Sequence, residues 1–488
     1  MNNPGEVIQL RSKKQSERPQ NENADLVAHR IGGFFCIDPV SELYYEKDDD
    51  KDVWHQIPKL KAEILIEEFL RLYAMSYSSS YLSGIVRLVR SRRIGPVWTV
   101  DPLLKPMKNG IYSHKTGELL QYREDYHFNW CLPYSYDHES DCPKIDAWLD
   151  YVTNDDEDLV WFLLCWMAAV LSGRSDLQKF LMVTGHGGTG KGVFFRLLSL
   201  LVGKENIWPT TFKRLEENRF ESSNLFGKRL LIISDSENYR GELSAFKQIT
   251  GGDAIPFERK GKDPELPFFF HGLATVSANQ PLHTSDQTSG IARRQISIHF
   301  NRIVTESEKQ DRVNFEAELE AELPGLFNKL VKIPQGEITK TIRNLPSTLG
   351  RIKLEDEIET NPILAWANDR LVSCIPGKET QIGSAPQSGA FASPSRLYED
   401  YIYYCESQGN KPVALRKFSR LVIDNCVSRG IPTEKTRMPV GGGTILKGLK
   451  LRTLNDSNSL LFVKDREGSV KAKPLPVKDT KDTKDSRQ

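Results

Sequence analysis

At 488 residues the chain is long enough for about three folded units, taking roughly 150 residues per domain. Its 66 Lys and Arg residues almost balance its 65 Asp and Glu residues, which argues against a protein that coats nucleic acid over its whole surface. A local basic channel is compatible with that balance. A hydrophobic content of 39% excludes global disorder.

The longest apolar run, Leu159–Leu171, has thirteen residues, fewer than the span of about 20 that crosses a bilayer, and predicts a buried helix. The N-terminus has no apolar signal core, and the seven cysteines include no Cys-x-x-Cys pair. We therefore expect a reduced, cytoplasmic chain with no membrane partner. Metal binding by Cys131, His138 and Cys142 is disfavoured because their spacing fits no standard ligand set.

The predicted elements begin with residues 1–28, which have no apolar periodicity and are expected to be disordered. Residues 29–170 combine short strands with helices, which predicts a small α+β unit, and residues 48–51 predict a solvated hairpin tip. One predicted helix carries a basic face, where a solvated surface is favoured over nucleic-acid contact. The cations of that face are Arg87, Arg90, Arg92 and Arg93.

From Lys179 to about Phe300, apolar strands alternate with helical segments, a pattern typical of a parallel α/β domain. We place this domain at residues 171–335. We interpret the rest of the chain as a helical region with a linker, a compact unit and a disordered charged tail, at residues 336–394, 395–455 and 456–488.

The sharpest motif is a glycine-rich loop between an apolar strand, Phe180–Thr184, and a predicted helix. Glycines let backbone N–H groups turn toward a phosphate oxygen, and the helix adds its positive amino end. Lys191 can reach the β- and γ-phosphates of a nucleotide. The sequence therefore predicts a binding site for ATP, made by Gly185, Gly187, Gly188, Thr189, Gly190, Lys191 and Gly192.

Gly192 departs from the usual form of this loop. The position ordinarily holds a Ser or Thr, whose hydroxyl ligates Mg²⁺. The missing hydroxyl leaves nucleotide binding in place. It bears on how Mg²⁺ is held, and hence on the rate of hydrolysis.

Two later apolar runs end in polar side chains that suit the same chemistry. Forty-four residues after Lys191, a buried strand is predicted to end near Asp235 and Glu237. Asp235 is placed to hold Mg²⁺ through water, and Glu237 to polarise the attacking water. Forty-four residues further on, a third strand ends at Asn279, whose amide is expected to sense the γ-phosphate. Asn at a strand end is otherwise a cap or turn residue.

Two adjacent arginines, Arg293 and Arg294, precede another β-type run. They fit an exposed strand edge. Alternatively, one guanidinium neutralises the charge that develops on a transferring γ-phosphoryl group. If that guanidinium reaches the nucleotide of a neighbouring subunit, activity requires an oligomer.

A Gly-Gly-Asp turn between Glu237 and Asn279 leads into a predicted hairpin rich in cations. An aromatic side chain among cations suits single-stranded nucleic acid, through stacking and phosphate contacts, and a solvated hairpin is the alternative. The residues expected to contact DNA are Phe257, Arg259, Lys260 and Lys262.

The order of these motifs resembles that of superfamily 3 helicases. The match is to the helicase part of phage- and plasmid-type primase-helicases, which are related to the poxvirus nucleoside-triphosphatase. The resemblance covers about residues 50–455 and is strongest over residues 179–300. It includes the segments Asn109–Leu119 and Cys131–Asp150, and the C-terminal unit is similar to the winged-helix domain that closes such proteins.

The resemblance implies an α/β fold: an AAA+ P-loop ATPase core with a parallel sheet, a small α+β N-terminal domain and a C-terminal winged-helix domain. It implies a homo-hexameric ring that hydrolyses ATP with Mg²⁺ and draws one strand of single-stranded or forked DNA through its channel in the 3′→5′ direction. Lys247 joins Lys260 and Lys262 in the segment that faces DNA. The catalytic roles fall on Lys191, Asp235, Glu237, Asn279 and either Arg293 or Arg294.

The family-like segments upstream of Gly185 occupy most of the chain before it, so a primase is predicted to reside on a separate primase or polymerase chain. Three functions compete. The leading one is an ATP-driven replicative helicase of a phage, plasmid or other mobile element. The second, motivated by Gly192, is an ATP-switched DNA-binding initiator or loader with weak or no unwinding. The third is an AAA+ remodeller that acts on protein. Stimulation of the ATPase activity by single-stranded DNA would exclude this third function.

Overall fold

The computed structural model describes residues 19–48, 53–74, 76–123, 125–234, 239, 241–261, 265–282, 289–305, 315–384, 395–438, 443–453, 456, 461–464 and 470–472. Asp235, Glu237 and Lys262 lie outside the described residues, as do the predicted hairpin-tip positions 49–51. Among the described helices, none combines the length and the apolar content that a bilayer crossing needs.

An α+β unit opens the described chain, and its first helix corrects the expectation of disorder up to residue 28. Helix α1 (Gln20–Ile31) buries Ala24, Val27, Ala28 and Ile31. It packs against α2 (Lys59–Leu70) and α3 (Ser79–Arg92). An antiparallel sheet joins them, in the order β1 (Phe35–Ile37), β2 (Tyr44–Lys47) and β3 (Trp54–Ile57).

A second small antiparallel sheet and two helices lead into the main domain. The sheet contains β4 (Leu104–Met107), β5 (Gly110–Ser113) and β6 (Glu118–Leu120). Helices α4 (Pro143–Thr153) and α5 (Glu157–Ser172) follow. Since α5 is buried along almost its whole length, the expectation that its apolar run forms a buried helix is confirmed.

The centre of the molecule is a five-stranded, wholly parallel sheet in the order β13–β7–β12–β9–β8, which confirms the predicted α/β domain. Its strands are β7 (Phe180–Thr184), β8 (Ile207–Thr210), β9 (Leu230–Ile233), β12 (Leu273–Ser277) and β13 (Gln295–His299). Between them lie α6 (Lys191–Val202), α7 (Phe212–Glu217), α8 (Ser244–Gly251), the hairpin β10 (Ile255–Phe257) and β11 (Glu265–Phe268), and the short α9 (Ser289–Ala292).

Two apolar clusters cover the two faces of this sheet. One contains residues of α4, α5 and α6 together with α10 (Phe315–Ala321), α11 (Leu323–Val331), α12 (Gln335–Arg343) and α13 (Ser347–Thr360). The other contains residues of α7, α8 and the β10–β11 hairpin. Because α4 and α5 share the core of the sheet, the boundary predicted at residue 171 does not separate two cores.

The C-terminal unit begins before its predicted boundary at residue 395. Helix α14 (Pro362–Arg370) shares an apolar cluster with α15 (Leu397–Ser407) and α16 (Leu415–Val427). Short strands pair antiparallel beside them, β14 (Leu371–Ser373) with β17 (Leu449–Leu451) and β15 (Lys435–Arg437) with β16 (Thr444–Leu446). Three helices with short strands are compatible with a winged helix, which stays a prediction.

The expected disordered tail also needs correction. Strand β18 (Phe462–Lys464) pairs antiparallel with β19 (Val470–Ala472). Leu461 and Phe462 are buried in the C-terminal cluster. Two apolar residues therefore extend the folded unit beyond the predicted boundary at residue 455.

Candidate nucleotide site

The glycine-rich loop follows β7, a central strand of the sheet, and ends where α6 begins. Gly188 and Gly190 have φ angles of 82° and 92°, a backbone region that other residues rarely adopt. Thr189 is buried, and its hydroxyl donates a hydrogen bond to the carbonyl of His186 at 2.9 Å. Glycines at positive φ and the amino end of a helix are features that suit phosphate oxygens.

Lys191 and Asn279, predicted from separate motifs, meet at this loop. The Lys191 ammonium donates hydrogen bonds to the carbonyls of Gly185 and His186 and, at 3.0 Å, to Oδ1 of Asn279. Strand β12 lies next to β7, and the N–H of Ala278 donates to the carbonyl of Val183 at 3.1 Å. The end of β12 therefore holds the Asn279 amide beside the loop. The sensor role of Asn279 remains a prediction.

Gly192 lies in the first turn of α6 and is exposed. A Cβ at this position would lie 3.3 Å from Nη1 of Arg196, and the flexible Arg196 side chain can move away. Arg196 forms an ion pair with Glu316, with Nε and Oε1 2.5 Å apart. A larger side chain is therefore accommodated at this position, and the missing hydroxyl is not required by packing.

The predicted acidic pair follows β9, the next strand beyond β12. Ile233 pairs with Val276, so the carboxyl ends of β9 and β12 lie at the same edge of the sheet as the glycine loop. Asp235 and Glu237 themselves lie outside the described residues. Binding of a triphosphate by the loop and Lys191 stays a prediction, as do the roles of the two carboxylates toward Mg²⁺ and water.

Arg293 and Arg294 lie at the amino ends of the parallel strands, the end of the sheet opposite the glycine loop. They immediately precede β13, whose first residue pairs with Phe180 at the start of β7. Five strand residues rise about 16 Å, farther than an arginine side chain extends, so neither residue reaches its own glycine loop along the sheet. A role at a phosphate therefore requires the nucleotide of another subunit.

The two arginines differ in their surroundings. Arg293 is exposed, whereas Arg294 is half-buried. A Cβ at Gly251 would lie 2.8 Å from Nη2 of Arg294, so this guanidinium packs against the end of α8. Burial lowers the pKa of Arg294, the neighbouring Arg293 adds to the effect, and Asp253 opposes it. Arg294 therefore packs against α8 of the same chain.

The predicted hairpin is present as β10 and β11, but its aromatic residue points inward. Phe257 is only 3% exposed and contacts Phe226 and Phe268 with ring centroids 5.1 and 5.7 Å away. The expectation that this ring stacks on a DNA base is therefore wrong. Because Pro256 points outward, strand alternation buries Phe257 together with Ile255.

The cations of the hairpin segment are distributed unevenly. Lys260 is exposed near the hairpin tip, and Arg259 lies with Cζ 5.1 Å from the Phe257 ring centroid. Lys247 is half-buried on α8. The side chain of Gln178, just before β7, donates to the carbonyl of Gly251 at 2.6 Å, which places the end of α8 at the sheet edge opposite the glycine loop. DNA contact by these cations stays a prediction.

The structure groups a different set of possible metal ligands from Cys131, His138 and Cys142, the set disfavoured from the sequence. Ligand atoms of Asp141, Cys142 and Asp146 lie within 4.8 Å of one another. Lys329 already forms an ion pair with Asp146, and burial raises the pKa of the Cys142 thiol to about 12. A neighbouring ammonium and a protonated thiol do not favour a bound cation.

Sequence reasoning missed two side chains beside the loop, Tyr151 and Arg302. Arg302 Cζ lies 3.7 Å from the centroid of the Tyr151 ring. One belongs to α4 and the other to the chain after β13, so 151 residues separate them. A lone tyrosine in a helix and a lone arginine in a loop give no signal in the sequence.

With its five-stranded parallel sheet and small antiparallel sheets, the chain is a mixed α/β protein. Residues 24–154 match the family model described as D5 N terminal like. Residues 183–294, which contain the glycine loop and Asn279, match a family of unknown function, DUF5906.

Two uncharacterized mitochondrial proteins of Marchantia polymorpha are similar to part of the chain. The protein ymf20 is 23% identical over 121 residues, which cover 24% of this chain and 71% of ymf20. The protein ymf21 is 30% identical over 122 residues, which cover 22% of this chain and 68% of ymf21. The chain belongs to the family of ymf21.

Solved structures of the NrS-1 C-terminal region are similar over most of the chain. An A-form apo structure has a TM-score of 0.44 and 14% identity, covering 88% of this chain and 100% of that one. Another apo structure has a TM-score of 0.41 and 14% identity, covering 88% and 99%.

Proposed function

We propose that the chain is an ATP-dependent DNA helicase of the superfamily 3 type that acts in replication of a phage, plasmid or other mobile element. The observation that carries this proposal is the contact of Lys191 with Asn279 at the glycine loop, 3.0 Å across two adjacent parallel strands. The match of residues 24–154 to the D5 N terminal like family supports a place in replication, given the resemblance to the poxvirus nucleoside-triphosphatase.

In the proposed reaction, water attacks the γ-phosphorus of ATP, and the bond to the β–γ bridging oxygen breaks to give ADP and phosphate. The loop N–H groups and Lys191 bind the β- and γ-phosphates, and the Asn279 amide positions the water or the γ-phosphate oxygens. Mg²⁺ would neutralise the phosphate oxygens, with Asp235 as its partner through water and Glu237 polarising the attacking water.

The proposed enzyme is a homo-hexameric ring with 3′→5′ polarity, as in the family it resembles. Arg293 supplies the guanidinium to the neighbouring subunit's nucleotide, because it is exposed at the sheet edge opposite its own loop. Single-stranded or forked DNA passes along Lys247, Arg259, Lys260 and Lys262, and a separate primase or polymerase chain supplies priming.

Strand displacement on a 3′-tailed duplex with Mg²⁺ and ATP tests this function. We expect the wild type to unwind the duplex and Lys191→Ala to lose unwinding, because the ammonium no longer offsets the phosphate charge. Lys115→Ala, which removes an exposed ammonium in the turn between β5 and β6, is the matched control. Equal unwinding by Lys191→Ala and wild type would rule out the mechanism.

A second candidate is an ATP-switched DNA-binding initiator or loader with weak or no unwinding. Gly192 favours it, since the first turn of α6 offers no hydroxyl to Mg²⁺ at that position. Negligible ATP turnover together with ATP-dependent DNA binding would select this candidate over the helicase.

A further inference from the structure

Besides the end of β12, two chain segments border the glycine loop. Helix α4 touches it on one side, where a Cβ at Gly190 would lie 2.9 Å from Cγ1 of Val152. The chain that leaves β13 touches it at a second point, where the N–H of Val304 donates a hydrogen bond to the carbonyl of Gly188 at 2.9 Å. A group that extends from a triphosphate in the loop can reach the surfaces of these two segments.

Each segment contributes one side chain to a stacked pair. Tyr151, next to Val152, packs partly against the core of the sheet, which holds its ring in place. Arg302, two residues before Val304, lies with Cζ 3.7 Å from the centroid of that ring. Both side chains are half-buried, so part of the pair faces solvent beside the loop.

The chemistry of this pair suits a nucleobase. In a nucleoside triphosphate only the ribose separates the phosphates from the base, so a base on a loop-bound triphosphate lies against a surface adjoining the loop. Aromatic rings are surfaces on which bases of any sequence stack. The guanidinium of Arg302 is itself a flat cation that covers the ring and can be exchanged for another flat group.

We infer that the base of the bound nucleoside triphosphate stacks on the Tyr151 ring and displaces the Arg302 guanidinium from it. This inference rests on the proposed function and adds to it the surface that recognises the base. Stacking requires only a flat ring, so the site accepts both ATP and GTP, with modest preference between them.

A simpler role for the pair is a cation–π contact that ties residues 301–305 to α4. The two roles differ in what they do to ligands without a base. A purely structural contact between the two segments, called a tie below, affects the conformation of the loop and therefore the binding of every ligand there. A stacking surface acts only on ligands that carry a base.

Equilibrium binding of Mg²⁺-ATP and of inorganic tripolyphosphate to the full chain separates these roles. We expect Tyr151→Ala to weaken ATP binding about tenfold, the loss typical of one base–aromatic stack, and to leave tripolyphosphate binding unchanged. Tyr151→Phe keeps the ring and should bind ATP as the wild type does. Arg302→Ala uncovers the ring and should bind ATP at least as tightly.

Arg90→Ala is the matched control, because it removes a guanidinium 5.7 Å from the Tyr44 ring in the N-terminal unit, and it should change neither affinity. Equal loss of ATP and tripolyphosphate binding in Tyr151→Ala would overturn the inference in favour of the tie. Unchanged ATP binding in Tyr151→Ala would overturn it as well. If the wild type binds neither ligand, the proposed function itself fails. If it binds both equally tightly, only the stacking surface fails.

Discussion

The Lys191 ammonium donates a hydrogen bond to Oδ1 of Asn279 at 3.0 Å, although 88 residues separate them in the chain. The contact joins the start of α6 to the end of β12, across adjacent parallel strands. Because an amide both accepts and donates, Asn279 can hold the ammonium with its oxygen and direct its N–H groups elsewhere. A triphosphate that draws Lys191 toward its own oxygens therefore changes the surroundings of Asn279.

Replacing Asn279 with Ala should lower the rate of ATP hydrolysis about 100-fold, the usual loss when one positioned hydrogen-bonding group is removed from a reaction centre. ATP affinity should change little, since the loop and Lys191 remain. Steady-state hydrolysis and equilibrium binding, measured on one preparation, check both parts. Asn279→Asp keeps the size but offers no N–H donor, so it should be as slow as Asn279→Ala. Near wild-type hydrolysis by Asn279→Ala would remove the residue from the reaction.

Restoring a hydroxyl at position 192 should lower the Mg²⁺ concentration needed for half-maximal hydrolysis. In Gly192→Ser, the added side chain meets only the mobile end of Arg196, and its hydroxyl lies where a Mg²⁺ ligand is usual. Mg²⁺ titration of the hydrolysis rate is the measurement.

Gly192→Ala is the matched control, because it adds the same Cβ without the hydroxyl. Either substitution should stabilise α6 by roughly 0.5 kcal/mol, since Gly is a poor helix former. Identical Mg²⁺ titrations for the Ser and Ala variants would show that the hydroxyl is not what this site lacks.

The sequence alone identified the central sheet because each of its parts carries a local signal. The run Phe180–Thr184 is apolar along its whole length, as a strand covered on both faces must be, and glycines follow it directly. Helix α1 carries a weaker signal. Ala24, Val27, Ala28 and Ile31 recur at helical spacing, but two of the four are small alanines and the other residues of the helix are mostly polar. Their burial depends on the packing of α1 against α3.

The directions of side chains and the contacts between distant segments are harder to predict from sequence than the helices and strands themselves. Cations surround Phe257 in the sequence, and they favour the interpretation of the ring as a DNA contact. The signal for its burial is short, because it consists only of Ile255 and Phe257 on either side of Pro256. Tyr151 and Arg302 meet only because the fold brings α4 next to the segment that follows β13, and no local sequence pattern encodes that contact.

Lys105 on β4 should lower the free energy of unfolding near neutral pH. Its side chain is fully buried, its ammonium donates to the carbonyl of Pro102 at 2.5 Å, and burial lowers its pKa from 10.5 to about 7, with Arg229 adding to the effect. The unfolded chain keeps this proton up to about pH 10.5. The folded state is therefore penalised fully below pH 7, and the penalty disappears as the pH rises toward 10.5.

Lys105→Met should accordingly raise stability by an amount on the order of 3 kcal/mol at neutral pH, and the advantage should shrink as the pH rises. Urea midpoints of variant and wild type at about pH 7 and about pH 9.5 give the comparison. Lys115→Met, at an exposed lysine of the same unit, should show no such trend. A variant less stable than wild type at both pH values would mean that the hydrogen bond to Pro102 outweighs burial.

Lys260 should contribute to single-strand affinity through phosphate rather than through a base. It is exposed near the tip of the β10–β11 hairpin, while the neighbouring Phe257 ring is buried. Lys260→Ala should weaken binding of single-stranded DNA and reduce the slope of log affinity against log salt by about 0.7, the value for one phosphate contact. ATP binding should stay the same. A salt slope equal to that of the Lys115→Ala control would mean that the hairpin does not touch the strand.

Arg293 and Arg294, although adjacent, should separate in mixing experiments. Arg293 is exposed, so Arg293→Ala should fold, bind ATP and enter rings with the wild type. Because each site then depends on a neighbour's guanidinium, activity should fall more steeply than the wild-type fraction as Arg293→Ala is added at constant total protein. Arg294 packs against Gly251, so Arg294→Ala should instead lower the melting temperature, by about 2–4 °C.

Arg219→Ala, which removes another exposed guanidinium, controls for dilution and should give activity proportional to the wild-type fraction. A proportional decline with Arg293→Ala as well would mean that no site borrows this arginine. The sheet gives that result a definite consequence. Arg293 stands about 16 Å along the strands from its own loop, so a proportional decline would leave it with no phosphate to act on in either subunit.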